Sequence, residues 1–208
     1  MKATGIVRRI DELGRIVIPK EIRRTLRLRE GDPVEIYTGE NGEIVLRKHS
    51  VMSDLNEFAL QFADSLAKTA GYPTCITDRD SVVAVSGVSK KGVLMSKAIQ
   101  FKNRNNEKTE SGVSKKDFNG KRITRQLEQA MEDRTTFIAP DRRTDFFPIL
   151  EDINGDKMMS FVGTPIISHG DPVGSVIMFS PDTRKAIGDT EAKLTQSAAA
   201  IIGKQLEQ

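Results

Sequence analysis

One cysteine, two histidines and no tryptophan occur in the 208 residues. The lone Cys75 excludes an internal disulfide framework and any multi-cysteine metal site, and His49 and His169 leave little for metal or acid–base chemistry. No apolar run approaches the roughly 18 residues that a membrane span needs. The N-terminal MKATGIVRRID also lacks the apolar core of a signal peptide. These absences make the cytoplasm the expected location, with no membrane partner. Missing too are a Gly-rich phosphate loop, a nucleophile elbow, zinc spacing and a paired acid–base constellation. The expectation is a protein with no catalytic residues, no metal and no cofactor.

What the chain does have is charge sorted by position. The formal net charge is only +3, yet residues 1–29 carry nine Lys/Arg against three acids, and residues 90–125 carry eleven against three. The rest of the chain is therefore acidic. Positive blocks in an acidic background imply a polyanionic partner, although charge alone does not say which block meets it.

The stretch DELGRIVIPKEIRRTL, residues 11–26, changes period midway. Residues 14–18 read as a short strand, Pro19 interrupts, and Ile22 and Leu26 then fall four apart as on a helix. Proline suits a first helical turn, where a backbone N–H has no partner in any case. Strands are expected at 4–10, 14–18, 34–38 and 43–48, with EGDP (30–33) and GENG (39–42) as turns that use Gly and Asn for positive φ. The unit closes near Ser50. About 50 residues with about a dozen aliphatic side chains make a thin core, so an obligate dimer is expected.

Ser53 is expected to cap a helix in which Leu55, Phe58, Ala59, Phe62, Ala63, Leu66 and Ala70 repeat at three and four residues, with Gly71 and Pro73 ending it. Strands are expected at 74–78, 82–86, 135–139, 160–167 and 173–179. A last helix, from about 189 to 206, carries Leu194, Ala198, Ile201, Ile202 and Leu206 on one side. Helix, five strands and helix around one core give an α+β sensor-like module. SGVSKK occurs twice, at 86–91 and 111–116, and the polar, basic KNRNNEKTESG between the copies reads as a mobile loop within an insertion near 98–120.

The run TGIVRRIDELGRIVIPKEIRRTLRLREGDPVEIY resembles the DNA-binding domain of the AbrB family of bacterial transition-state regulators, a swapped-hairpin dimer. The strand, the GRIVIPKEIRR turn into the helix and the GDPVEI turn occur in order over residues 1 to about 50. Chain length, the linking helix and the HGDPVG turn around Gly170 extend the resemblance to AbrB-type regulators whose C-terminal half is a GAF domain. Residues 98–116 depart from that pattern. The resemblance implies an α+β chain in which residues 1–52 form a swapped-hairpin dimerisation and DNA-binding domain and residues 53–208 a GAF-like regulatory domain. It also implies a transcriptional regulator of sporulation genes, activating or repressing, that reads A/T-rich double-stranded DNA with loose sequence preference. Pairing of dimers into a tetramer through the helices at 54–70 and 189–206 is the expected assembly.

In the family, DNA contacts come from arginines at the positions of Arg8, Arg15, Arg23 and Arg24, and Arg9 fills the basic position beside the first. The residue pattern agrees. With Ile22 and Leu26 turned inward, Arg23, Arg24 and Arg27 project elsewhere, and alternation that buries Ile16 and Ile18 leaves Arg15 facing the other way. Lys20 joins them to complete the DNA-contact set. Arginine's planar fork binds phosphate oxygens bidentately or enters a narrowed minor groove. Charges on a short helix are usually a solvated face. The dense positive charge and the motif favour contact for Arg15, Arg23 and Arg24, while both readings stay open for Lys2, Lys20, Arg27 and Arg29.

A GAF-like domain implies a pocket for a small molecule between its sheet and its loops. Candidate lining residues are Cys75, Thr77, Ser86, Phe137, Phe161, Thr164 and Met178, although each such residue more often belongs to the ordinary core. A lone buried thiol is normally inert. The rival reading is an antitoxin or scaffold, because the swapped-hairpin fold also serves proteins that neutralise a toxin. Those carry a flexible acidic or apolar tail where this chain has strong helical periodicity.

Overall fold

The computed structural model describes residues 4–50, 52, 55–88, 114–151, 158–181 and 187–207. The chain forms two compact units, Met1–His49 and Ser50–Gln208. Ser53 and most of the insertion near 98–120 lie outside the described residues, as do the later part of the first SGVSKK copy and the start of the second.

The first unit contains α1 (Lys20–Leu26), β1 (Val34–Thr38) and β2 (Ile44–Lys48). The two strands pair antiparallel from Val34↔Lys48 to Thr38↔Ile44, as the GENG turn predicts. Segments 4–10 and 14–18, expected as strands, form no ladder within the single chain, because a strand exists only where its N–H and C=O groups are paired. Burial fails in the same way. Among the described residues of this unit no side chain is buried, and Val7, Leu13, Val17 and Ile36 are each at least 70% exposed. Ile16 and Leu26, expected to turn inward, are 45% and 51% exposed. The apolar faces are formed, but one copy of so short a segment has nothing to lay over them.

The second unit runs α2 (Asn56–Ala70), β3 (Thr74–Asp78), β4 (Val82–Ser86), α3 (Lys115–Phe118), α4 (Arg125–Glu132), β5 (Phe137–Ala139), β6 (Ser160–Ser168), β7 (Asp171–Ser180) and α5 (Asp189–Gln205). Its five strands form one antiparallel sheet in the order β4-β3-β7-β6-β5. This is the α+β module expected of the C-terminal region. Gly71 ends α2 at φ 69, its N–H bonding to the Ala67 carbonyl, as the sequence predicts.

Strand alternation divides the core between the two faces of this sheet. On one face, Ile76, Ala84, Ile166 and Val176 pack with Ala59 and Ala63 of α2 and Ala198, Ala199 and Ile202 of α5. On the other, Cys75, Phe161, Ile177 and Phe179 pack with Phe118 of α3, Leu127 and Met131 of α4, and Ile149 and Leu150. The α4 helix was not anticipated. Thr124 caps it by accepting from the Leu127 N–H at 3.2 Å. On α5 the expected Ala198 and Ile202 are buried and Leu194 and Leu206 half-buried, but Ile201 is 49% exposed, and Ala192, Thr195, Ala199 and Gly203 join the inward face. Ala198, Ala199 and Gly203 on that face let α5 approach the sheet closely.

Candidate nucleic-acid interface and sensor face

One carboxylate organises the turn at residues 11–15. Asp11 Oδ1 accepts from the N–H groups of Leu13 at 3.0 Å and Arg15 at 2.8 Å, while Oδ2 accepts from Arg15 Nε at 2.7 Å. Main-chain bonds close the same loop, from the Asp11 N–H to the Arg15 carbonyl at 3.1 Å and from the Gly14 N–H to the Asp11 carbonyl at 2.9 Å. Gly14, at φ 75, provides the left-handed residue that the turn requires. The Arg15 backbone N–H, and after it the guanidinium, hold the Asp11 carboxyl below its ordinary range.

Pro19 stands at the N-cap of α1, one position before the expected first turn, and its carbonyl accepts the Arg23 N–H at 3.0 Å. Ile22 is half-buried, and Arg23 and Arg24 project from the exposed side. Arg27 stops the helix at φ 52, and the Leu28 N–H reaches back to the Arg23 carbonyl at 2.7 Å. Asp32 then fastens the helix end to the hairpin. Its Oδ2 accepts the Arg29 N–H at 2.8 Å and meets Lys48 Nζ at 3.0 Å, and Lys48 Nζ also donates to the Arg27 carbonyl at 3.0 Å. Burial pushes the Asp32 carboxyl up, but the Arg29 N–H and the Lys48 ammonium together hold it below its ordinary value. Arg27 and Arg29 are half-buried and enter this clasp through their backbones.

Arg8, Arg9, Lys20, Arg23 and Arg24 are exposed, and among the described residues none of the five is ion-paired. Arg15 is exposed as well, with Asp11 as its partner. Around the β1–β2 hairpin the charge is different in kind. Glu35 accepts from Tyr37 Oη at 2.6 Å and contacts His49 Nδ1 at 3.0 Å, and Arg47 lies over the Tyr37 ring. The Tyr37 hydroxyl, with His49 second, holds the Glu35 carboxyl below its ordinary range. Sequence reading found the cations but passed over Asp11. The signal was available, since an aspartate four residues before an arginine with glycine between them is a side-chain-capped turn.

In the second unit the seven pocket candidates do not converge. Cys75, Thr77, Phe137 and Phe161 share one face of the sheet, while Ser86, Thr164 and Met178 belong to the opposite face, against α2 and α5. An odd sequence offset along a strand always separates faces in this way. Phe161 is wholly buried amid the rings of Phe137, Phe146 and Phe147, and burial pushes the Cys75 thiol up to about 12. Thr77 and Ser175 share a buried hydroxyl bond of 2.8 Å. Ser86 donates to Asp64 Oδ1 at 2.9 Å, and Thr164 links Thr136 to Thr195. Among the described residues no group of three or more His, Cys, Asp or Glu side chains could hold a metal ion, and no helix is long and apolar enough to cross a membrane.

Comparison with known proteins finds relatives of both units. Residues 54–108 and 103–207 match the family model described as stage V sporulation protein T C-terminal, transcription factor. Residues 7–53 match that of the antidote-toxin recognition protein MazE, a bacterial antitoxin. Stage V sporulation protein T of Bacillus subtilis is 41% identical over 210 residues, covering all of both chains. The transition state regulatory protein AbrB of the same organism is 57% identical over 49 residues, which are 24% of this chain and 50% of that one. A solved GAF domain of a phosphoenolpyruvate-protein phosphotransferase from Coxiella burnetii covers 73% of this chain and 82% of its own at 12% identity, with a TM-score of 0.48.

Proposed function

The chain belongs to the stage V sporulation protein T family, and from that premise we propose that it is a sporulation transcription regulator that binds A/T-rich duplex DNA. Residues 1–52 do the binding, through a face built from Arg8, Arg9, Arg15, Lys20, Arg23 and Arg24. The observation that carries this reading is the exposed set of five cations with no ion-pair partner among the described residues. Unpaired arginines and lysines gathered within one short unit repel one another, a cost that a polyanion removes. Phosphate contacts without a long recognition helix favour reading of groove width and deformability over base edges.

Two copies joined through the uncovered apolar faces of residues 1–52 double this cationic set into one surface. Dimers pair into a tetramer through α2 and α5, whose Leu60 and Ile201 are 45% and 49% exposed. Residues 53–208 act as a cytoplasmic GAF-like regulatory domain, and a small ligand binds beside the sheet face that carries Cys75, Thr77, Phe137 and Phe161. Ser86, Thr164 and Met178 hold the opposite face to its helices. Family membership makes the chain a transcription factor and not an enzyme. The antitoxin reading loses ground because a folded module follows residue 52 where an antitoxin has a flexible tail.

The test is fluorescence anisotropy of an A/T-rich duplex at several salt concentrations, with the intact chain and an Arg23→Ala/Arg24→Ala variant. Log affinity of the intact chain should fall by about 0.9 per phosphate contact for each tenfold rise in salt. The variant should bind more weakly and with a shallower slope. Equal, feeble binding by both proteins would make the arginines a solvated face and redirect the search to a protein partner.

A further inference from the structure

We propose that Asp11 is a positioning residue for Arg15, holding its guanidinium ready to receive a DNA phosphate; the inference rests on the DNA-binding reading above. The geometry is directional. Oδ2 takes Arg15 Nε alone, at 2.7 Å, and among the described residues the two Nη groups have no partner. A bidentate grip on the guanidinium edge would occupy the fork; a single bond at Nε leaves its far end free, the end that meets a phosphate in parallel N–H···O bonds. The carboxylate is itself immobilised, since Oδ1 accepts two backbone N–H groups within the same turn. Arg15 is thus fixed at its Cα by the turn and near its tip by the ion pair.

The consequence is a lower ordering cost on binding. A free arginine gives up most of its rotamer freedom when it grips a phosphate, and here much of that freedom is already lost in the unbound protein. An opposing effect competes. Asp11 is also a negative charge beside the DNA, and as such it weakens binding. At this exposed position the direct repulsion acts through water and is screened by salt, whereas the ordering acts on every arginine–phosphate contact. The Asp11–Arg15 pair is exposed to the same screening, so the sign of the Asp11→Asn effect on affinity decides between positioning and repulsion.

The experiment compares four intact chains on the same A/T-rich duplex: wild type, Asp11→Asn, Arg15→Ala and the double variant, each checked by thermal melting. Asparagine keeps an oxygen for the backbone N–H groups of the turn and gives up the charge that holds the guanidinium. Asp11→Asn should leave the chain folded, with at most a small fall in melting temperature, and weaken binding about threefold per arginine, or about tenfold for a dimer. In the Arg15→Ala background it should change nothing. By NMR, the Arg15 Nε–H should exchange slowly with solvent in the wild type and quickly in Asp11→Asn, a readout that requires no DNA. Unchanged affinity, tighter binding in either background, equal weakening in both backgrounds, or an unprotected Nε–H in the wild type would each overturn the proposal. If the wild type does not bind DNA at all, the functional reading falls with it; in every other failure that reading stands.

Discussion

Gly203 of α5 lies directly on the carbonyl oxygen of Ile167 in β6, leaving no room between them for a Cβ. Together with the buried Ala198, Ala199 and Ile202, this contact sets how closely α5 approaches the sheet. A glycine inside a helix is usually a liability of about 1 kcal/mol relative to alanine. Here the close approach requires it.

Gly203→Ala should therefore destabilise the protein despite its better helix propensity. Overpacking against backbone costs about 1–3 kcal/mol, which exceeds the gain in propensity. The melting temperature should fall by several degrees. A higher melting temperature in the variant would mean that α5 shifts along β6 without cost.

The second unit was largely legible in the sequence. The α2 helix, the β3–β4 turn and the β6–β7 hairpin at Gly170 carry local signals, namely apolar spacing of three and four and turn residues at the right offsets. The α5 face was misread because both Ile201 and Ile202 fit an apolar stripe, and only the sheet decides which one faces inward. Helix α4 has the cap Thr124 and the buried pair Leu127 and Met131 four apart, a pattern short enough to pass for loop. In the first unit the period switch at Pro19 located α1, but segments 4–10 and 14–18, whose alternation reads as strand, find no pairing partner within the single chain. The cations of the candidate interface were visible as charge. Asp11, which organises one of them, carries the opposite sign and so escaped a search for basic residues.

Thr77 and Ser175 provide a test of buried polar pairing. Their hydroxyls are 2.8 Å apart, and Thr77 Oγ1 also accepts the Ser175 N–H at 3.1 Å, with both residues fully buried. Thr77→Val preserves shape but strands the Ser175 hydroxyl, at a cost of about 1–3 kcal/mol in urea unfolding. Adding Ser175→Ala should recover part of that loss, because one orphaned group is removed. Strictly additive losses would show that the two hydroxyls do not depend on each other.

Cys75 predicts a pH window. Burial raises its thiol from 9.0 to about 12, so between those values the folded chain holds a proton that the unfolded chain releases. The sign follows from proton linkage: below pH about 9 this group costs nothing, and above it stability falls by about 1.4 kcal/mol per pH unit. Comparison with Cys75→Ala isolates the effect from the tyrosines and lysines that titrate in the same range. The variant should lose less stability between pH 8 and 10.5 than the wild type. A thiol that reacts readily with an exposed-thiol reagent at pH 8 in the native protein would contradict the burial on which the prediction rests.

Val17 separates a monomeric from a dimeric first unit. In the single chain it is 74% exposed, and a substitution at such a site ordinarily changes stability by no more than about 0.5 kcal/mol. If a second copy covers it, Val17→Asp buries an unpaired carboxylate at each of two symmetric positions, and several kcal/mol of dimer stability are lost. The wild type should then sediment as a dimer or larger, with a melting temperature that rises with protein concentration, and the variant should dissociate. DNA affinity should collapse in parallel, because separated monomers present half the cationic face and bind without the gain of two linked sites. A variant that keeps its assembly and its melting temperature would show that the Val17 face lies outside the dimer contact, and the interface would have to be sought among Ile36, Ile44 and Leu46 of the β1–β2 hairpin, which are also exposed.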